Sequence, residues 1–498
     1  MLRMSWRVRI LWLVGVVVTF VGSGCALSAQ KNAEVTLTPG QDIQAVVANS
    51  GEGARFHFEP GVYRQQTIYP KNRQEFIGQD GVVLSGAMVL DNWKKLTSAA
   101  TAAARPTSGL WVTEDLPPPV EGGGKCMRGR EFCNWREDLF FNDRPYERVG
   151  QLDELGPRTW YYEDGRAYLA DDPTGQSVEL GVTPLAFGGD AEAVVLRNLI
   201  VEKYASEAQR GAIDLRDARG WVLSGVKARW NHGIGLYIGP RTYVDGGSFS
   251  HNGQLGMSGT GQRSTIEGVE IAFNNYAGYS WGWEAGGTKF SRVKGLIVRD
   301  SCIHHNEGPG LWSDIDNIDV VYEGNRVFSN AGDGIKHEIS LDAIIYHNVV
   351  AHNGSGFDNW LWGSQILIQN SRNVRVVGNI VEVSESAGNG ISVVHQERGK
   401  GEYAPWNAVN NQVIDNTIVY LGDHGKSGVA RDADEDWFWR EADNKFDRNT
   451  YIATDGAIKH WAFNDRDRTW NDAKELGHER NGELFVEQRA PMELSCER

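Results

Sequence analysis

Short runs of alternating apolar and polar residues recur along most of the chain, each run entered through an Asn- and Gly-containing corner. The clearest pair lies between Asn306 and Leu341 (NEGPGLWSDIDNIDVVYEGNRVFSNAGDGIKHEISL). Asn306-Glu307-Gly308-Pro309-Gly310-Leu311 opens one unit and Asn330-Ala331-Gly332-Asp333-Gly334-Ile335 opens the next. Period-two alternation predicts strands, and Asn and Gly between them predict tight corners. Similar Asn-led corners stand at Asn231, Asn252, Asn275 and Asn353, with spacings of 21 to 31 residues. A second set stands at Asn198, Asn325, Asn348, Asn379 and Asn416. A strand-rich repeat of this length predicts an all-β right-handed parallel β-helix, a solenoid; the leucine frame of leucine-rich repeats is missing. The corner asparagines are expected to be structural, stacked as hydrogen-bonded ladders.

The same pattern divides the chain. Residues 36–93 form an amino-terminal cap, with a short amphipathic helix at Gln41–Ala48, followed by the first coils. Between 94 and 183 the rhythm breaks. Asn142-Asp143 and Asp164-Gly165 sit between aromatic strands and predict hairpins, hence an inserted antiparallel β subdomain. The main β-helix is expected over 184–421, and 422–498 as loops and a short helix closing the carboxyl end.

Charge changes the picture by exclusion. With 65 acidic against 50 basic residues, the net charge of -15 makes nucleic acid and anionic membrane surfaces poor partners. Eighteen tryptophans suit either a core or a surface that stacks on sugar rings. At the start, Arg3, Arg7 and Arg9 precede an apolar stretch, Ile10–Val21, too short for a comfortable membrane span. Residues 1–25 are therefore expected to be a targeting segment for export, and 26–35 a tether. Gly22-Ser23-Gly24-Cys25 resembles a lipoprotein cleavage box, which makes Cys25 the expected lipid attachment point at the cell envelope. Export permits disulfides. Cys126 and Cys133 are close enough to pair, whereas Cys302, in an apolar strand, is expected to be a buried free thiol. No Cys/His spacing or Asp cluster calls for a metal, so no cofactor is expected. Nothing in the sequence sets an oligomeric state.

Two acids occupy the same place in consecutive units: Asp314 and Glu338, each four residues after the second Gly. Side chains alternate in and out along a strand, so with the corners aligned both acids point outward. Trp360 is expected to follow Glu338 in this column, and Gly282 to precede Asp314. Adjacent coils are about 4.8 Å apart, which brings the two carboxyl groups to roughly 5 Å. That spacing suits retaining glycoside hydrolysis, with one carboxylate as nucleophile and the other as acid/base. Trp312, Trp360 and Trp362 on the outward face, with Asp316, are expected to contact substrate. Trp283, Glu284 and Lys289 of the preceding coil are expected beside the acids. His337, adjacent to Glu338, and His395, at the end of a later strand, complete the candidates.

Gly310-Leu311-Trp312-Ser313-Asp314 followed by Ile335-Lys336-His337-Glu338-Ile339 resembles the catalytic strands of β-helix glycoside hydrolases of the β-xylosidase type. The resemblance implies Asp314 as nucleophile, Glu338 as general acid/base, a carbohydrate substrate and a β-sandwich-like insertion. It is specific over Gly308–Ile344 and looser elsewhere. Two other chemistries compete. A polysaccharide lyase or uronate epimerase needs cations and a base, and Lys289 and Lys336 are the cations in reach. A non-catalytic carbohydrate-binding protein would keep the tryptophans and have no use for stacked acids.

Overall fold

The structure, a computed structural model, describes residues 33–96, 109–356, 359–433 and 437–497. Within Ala33–Arg498 the chain coils into a right-handed parallel β-helix with three long sheets. The first runs from Glu34–Leu37 to Lys445–Asp447, the second from Gly61–Arg64 to Glu483–Val486, and the third from Gly211–Asp214 to Arg466–Arg468. Equivalent residues stack rung on rung. One inward row of the first sheet passes through Phe56, Phe76, Leu196, Leu223, Val244, Ile266, Val298, Tyr322, Ile345, Val376, Val413 and Phe446. All are buried, so the alternation in sequence becomes a continuous apolar column.

The corners are held by amide ladders. Asn306 Nδ2 donates to Asn330 Oδ1 at 2.8 Å, Asn330 Nδ2 to Asn353 Oδ1 at 2.8 Å, and Asn353 Nδ2 to Gln365 Oε1 at 2.9 Å. Upstream the ladder continues through Asn231, Asn252 and Asn274. A second ladder climbs Asn325, Asn348, Asn379, Asn416 and Asn449 and ends on the buried carboxyl of Glu479, pushed up to about 7 by burial. The Gly four residues after Asn306 has a steric cause: a Cβ on Gly310 would lie 2.7 Å from the Gly334 carbonyl and 2.9 Å from Asn330 Nδ2.

Ile43–Asn49 forms the amino-terminal helix, capped by the Asp42 carboxylate. The insertion contains a four-stranded and a five-stranded sheet, and its first strand, Ala87–Val89, lies before residue 94. Both predicted hairpins form, with Asn142, Asp143, Asp164 and Gly165 at positive φ. The insertion is clamped to the solenoid by His232. Its Nδ1 lies 2.9 Å from Asp138 Oδ2 and its Nε2 2.9 Å from the Cys133 carbonyl.

Three features differ from the sequence expectation. The coils do not stop at Leu421: Ser427–Asp432, Lys445–Asp447, Thr450–Ala453 and Glu483–Val486 extend all three sheets, and the helix Trp470–Glu475 packs against Trp461–Phe463 and Arg466–Arg468 of the third. Their corners lack the Asn-x-Gly signal. Cys302 is not a free thiol but is bonded to Cys496, 194 residues away, while Cys126 pairs with Cys133. The carboxyl-terminal segment doubles back along the second sheet: Met492 N donates to Glu382 Oε1 and Arg326 Nε to the Ser495 carbonyl. Third, the next strand of the third sheet, which pairs with the one that ends at Glu338, starts at Ser364. Cys25 lies outside the described residues.

Replacing Asn330 by Ala would leave Asn306 N and Asn306 Nδ2 short of a partner in a fully buried corner. Loss of about 3 kcal/mol is expected, read as a fall in the denaturant midpoint without a change in slope.

Candidate active site

Asp314 and Glu338 are the last residues of the strands Leu311–Asp314 and Ile335–Glu338, and they are direct partners in register. The chain turns sharply after each: Ile315 has φ 65° and Ile339 φ 37°. A β-branched residue in the left-handed region is strained by about 1–3 kcal/mol, and here it occurs after both acids. In the next coil the same corner is taken by Asn370, which tolerates it.

The two carboxyls are almost closed off from solvent, at 6% and 5% exposure. They are set among cations. Lys289 Nζ lies 3.0 Å from Asp314 Oδ2 and 3.5 Å from Glu284 Oε2. Lys336 Nζ lies 2.8 Å from Glu338 Oε2, Arg398 Nη1 donates to Glu338 Oε1 at 3.0 Å, and Trp312 Nε1 donates to Glu338 Oε2 at 3.1 Å. Asp314 thus shares one cation, and its Oδ1 is buried without a hydrogen-bond partner, whereas Glu338 has two cations and an indole. Charges follow these partners. Burial and then the Glu338 charge push Asp314 above the ordinary carboxylate range, with Lys289 opposing. Burial pushes Glu338 up too, but Lys336 and Arg398 outweigh it and hold Glu338 low. A carboxyl held above the ordinary range and one held below it, one rung apart, suit a proton donor and a negative charge at opposite ends of one bond.

Several candidates sit elsewhere than expected. Gln369, not Trp360, follows Glu338 in the column, because residues 357–363 precede the strand Ser364–Gln369. Ser291, not Gly282, precedes Asp314; Gly282 lies in the short helix Trp281–Glu284. That helix carries Glu284 to Lys289 and presents the Trp283 carbonyl to Lys289 Nζ at 3.3 Å, so Glu284 and Lys289 do flank the acids. Trp312 is no open sugar platform. It is 3% exposed, with Lys289 Nζ 4.3 Å and Lys336 Nζ 4.7 Å from its ring centre. It stabilises the cations and orients Glu338. His337 points into the solenoid, its Nδ1 2.7 Å from Ser313 Oγ, and burial brings it down to about 4. His395 is also core-facing, stacked on Phe438 at 4.7 Å. Trp360 donates to Asp467, and Trp360 and Trp362 pack on an apolar cluster around Leu361, Leu367 and Val394. Both oxygens of Asp316 are taken, by Trp406 Nε1 and Glu402 N. Arg398 escaped the sequence reading because it lies sixty residues beyond Glu338 in a loop without periodicity.

The protonation difference has a sign that can be checked by heat. Asp314 titrates higher folded than unfolded, so it favours the fold below its unfolded value of about 3.8 and weakens it as pH rises through the folded value. Glu338, titrating lower, contributes above its unfolded value and stops contributing as pH falls through the folded one. Asp314→Asn removes the first effect. The difference in Tm between variant and parent should move in the variant's favour as pH rises above about 4; a constant difference would contradict the raised Asp314.

Comparison with known proteins bears on the fold. The profile of a family described as "Right handed beta helix region" matches residues 211–373. No curated protein matches the sequence. Among solved structures, one titled "The complex structure of XylC with xylose" is 13% identical, with 84% of this chain and 83% of that chain covered at a TM-score of 0.65. One titled "Glycoside hydrolase" is 10% identical over 83% of this chain and 99% of that chain, at 0.45. The mannuronan C-5 epimerase AlgE6 A-module of Azotobacter vinelandii is 12% identical over 91% of this chain and 95% of that chain, at 0.44. The chain is therefore a right-handed parallel β-helix, similar over most of its length to the XylC structure.

Proposed function

We propose that the protein is a carbohydrate-active enzyme, a retaining glycoside hydrolase whose catalytic carboxyls are Asp314 and Glu338. The observation that carries this reading is the pair itself: direct partners on adjacent rungs, nearly buried, one raised and one lowered. A rung of about 4.8 Å suits the roughly 5 Å separation of retaining enzymes, in which one carboxylate attacks the anomeric carbon and the other protonates the leaving oxygen. The similar architecture of a structure solved with xylose adds support. The three cations argue less for a lyase than their number suggests, because each already holds a carboxylate: Lys289 on Asp314, Lys336 and Arg398 on Glu338.

The family resemblance assigns attack to Asp314 and proton transfer to Glu338. The charge distribution of the free protein favours the opposite order, since it raises Asp314 and lowers Glu338. Azide separates the two. Added to a variant lacking the nucleophile, it gives the glycosyl azide of inverted configuration; added to one lacking the acid/base, it gives the retained one.

A screen of aryl xyloside, arabinofuranoside, glucoside and galactoside, with the first product's anomer followed by NMR, tests the proposal. Retention is expected, and Asp314→Asn or Glu338→Gln should each lower kcat/KM about a thousandfold. An inverted first product, or unchanged turnover in both variants, would overturn it.

We further propose export and envelope anchoring through Cys25. The two disulfides support an oxidising compartment. Cys25→Ser should move the protein from the membrane fraction to the soluble exported fraction and abolish labelling by a radiolabelled fatty acid.

A further inference from the structure

The loop 397–406 leaves the third sheet after the strand Asn389–Gln396 and reaches back three rungs to the strand that carries Asp314. On the way it passes Gln369 and Glu338. Its roots are pinned by Asn370, whose Nδ2 donates to the Gln396 carbonyl at 2.5 Å and the Trp406 carbonyl at 2.8 Å. Its far end is held by one carboxylate. Asp316 Oδ1 accepts from Trp406 Nε1 at 2.9 Å, and Oδ2 accepts from Glu402 N at 3.0 Å. Gly401 packs so close that a Cβ there would lie 1.8 Å from Asp316 Oδ1. The loop is also tied to itself, from Trp406 N to the Gly399 carbonyl at 3.0 Å and Gly401 N to the Ala404 carbonyl at 2.9 Å. Arg398, at its start, is thereby seated on Glu338 Oε1 at 3.0 Å.

We propose that Asp316 is a positioning residue: it latches the 397–406 loop as a strap across the acid pair and, through it, keeps Arg398 seated on Glu338. Asp316 is 7% exposed, and both its oxygens are occupied by the strap. It therefore acts through Arg398 and does not touch substrate. Through Arg398 the strap covers Glu338 Oε1, so a sugar that reaches this oxygen displaces it. Arg398 is the one cation on Glu338 that comes from the strap; Lys336 belongs to the sheet and stays. Strap position thus sets how many cations Glu338 has.

This inference rests on the hydrolase reading for its kinetic part only, and the test separates the two. Carboxyl labelling with a carbodiimide and an amine, read by mass spectrometry, reports access to Asp314 and Glu338 without any substrate. Asp316→Asn, Asp316→Ala and Arg398→Ala should each raise labelling of Glu338 severalfold. Gly401→Ala, which keeps Asp316 but forces the strap off it, should do the same and covers the case in which Asp316→Ala does not fold. Where an aryl glycoside is turned over, the limb of kcat/KM that Glu338 governs (the acid limb if it is the nucleophile, the alkaline limb if it is the acid/base) should move up by about one pH unit in Asp316→Asn and in Arg398→Ala. The double variant should move no further than either single one, since the two residues act in series. Labelling at the parental level in all the variants, or an unmoved limb with only a lower Tm, would overturn the latch. Absence of turnover on every glycoside, with labelling raised, would sink the hydrolase reading and leave the latch standing.

Discussion

Register depends on the buried amide ladders at the corners. A strand that slips by one residue turns its whole inward face outward, and in a solenoid each coil is held only by its neighbours. The ladders make slippage costly. Asn306, Asn330, Asn353 and Gln365 each present their side chain to the next rung, where any shift would leave several buried polar atoms unpaired. The rung spacing that the ladder imposes is the same spacing that sets Asp314 beside Glu338. Stability and chemistry thus draw on one periodic constraint.

The acid pair itself is costly to the fold. Two carboxyls, Lys289, Lys336 and Arg398 are gathered where little water reaches, around an indole covered on both sides. Such a cluster stabilises less than apolar residues of the same volume would. It is followed by two isoleucines in the left-handed region. Among the described residues these two are the only β-branched ones in that region, and strained, charged, nearly buried groups of this kind cluster at functional sites.

How much of this was visible beforehand differs residue by residue. Asp314 and Glu338 were legible because their coils have equal length from corner to strand, so counting from Gly310 and Gly334 lands on true partners. The count failed at Trp360 because the next coil carries an extra loop before Ser364, and at Gly282 because a helical turn interrupts the coil before. Alternation correctly sent Trp312 outward but could not say that two lysines would cover it. Asp316, outward by the same count, faces a loop instead of water. His337 and His395 follow the alternation inward, where a histidine serves the core.

The sequence by itself determined the periodic part: the parallel β-helix, its asparagine corners, the hairpins of the insertion, and which two acids share a rung. These follow from local rules, since a strand alternates and a corner needs Asn or Gly wherever they occur in the chain. Only the tertiary structure decided which groups surround the pair and which carboxyl is raised and which lowered. Arg398 and its strap, Glu284 on its helical turn, and the union of Cys302 with Cys496 join residues tens to hundreds of positions apart. Such contacts leave no period in the sequence, and the protonation of a buried acid depends on the sum of charges that folding brings around it.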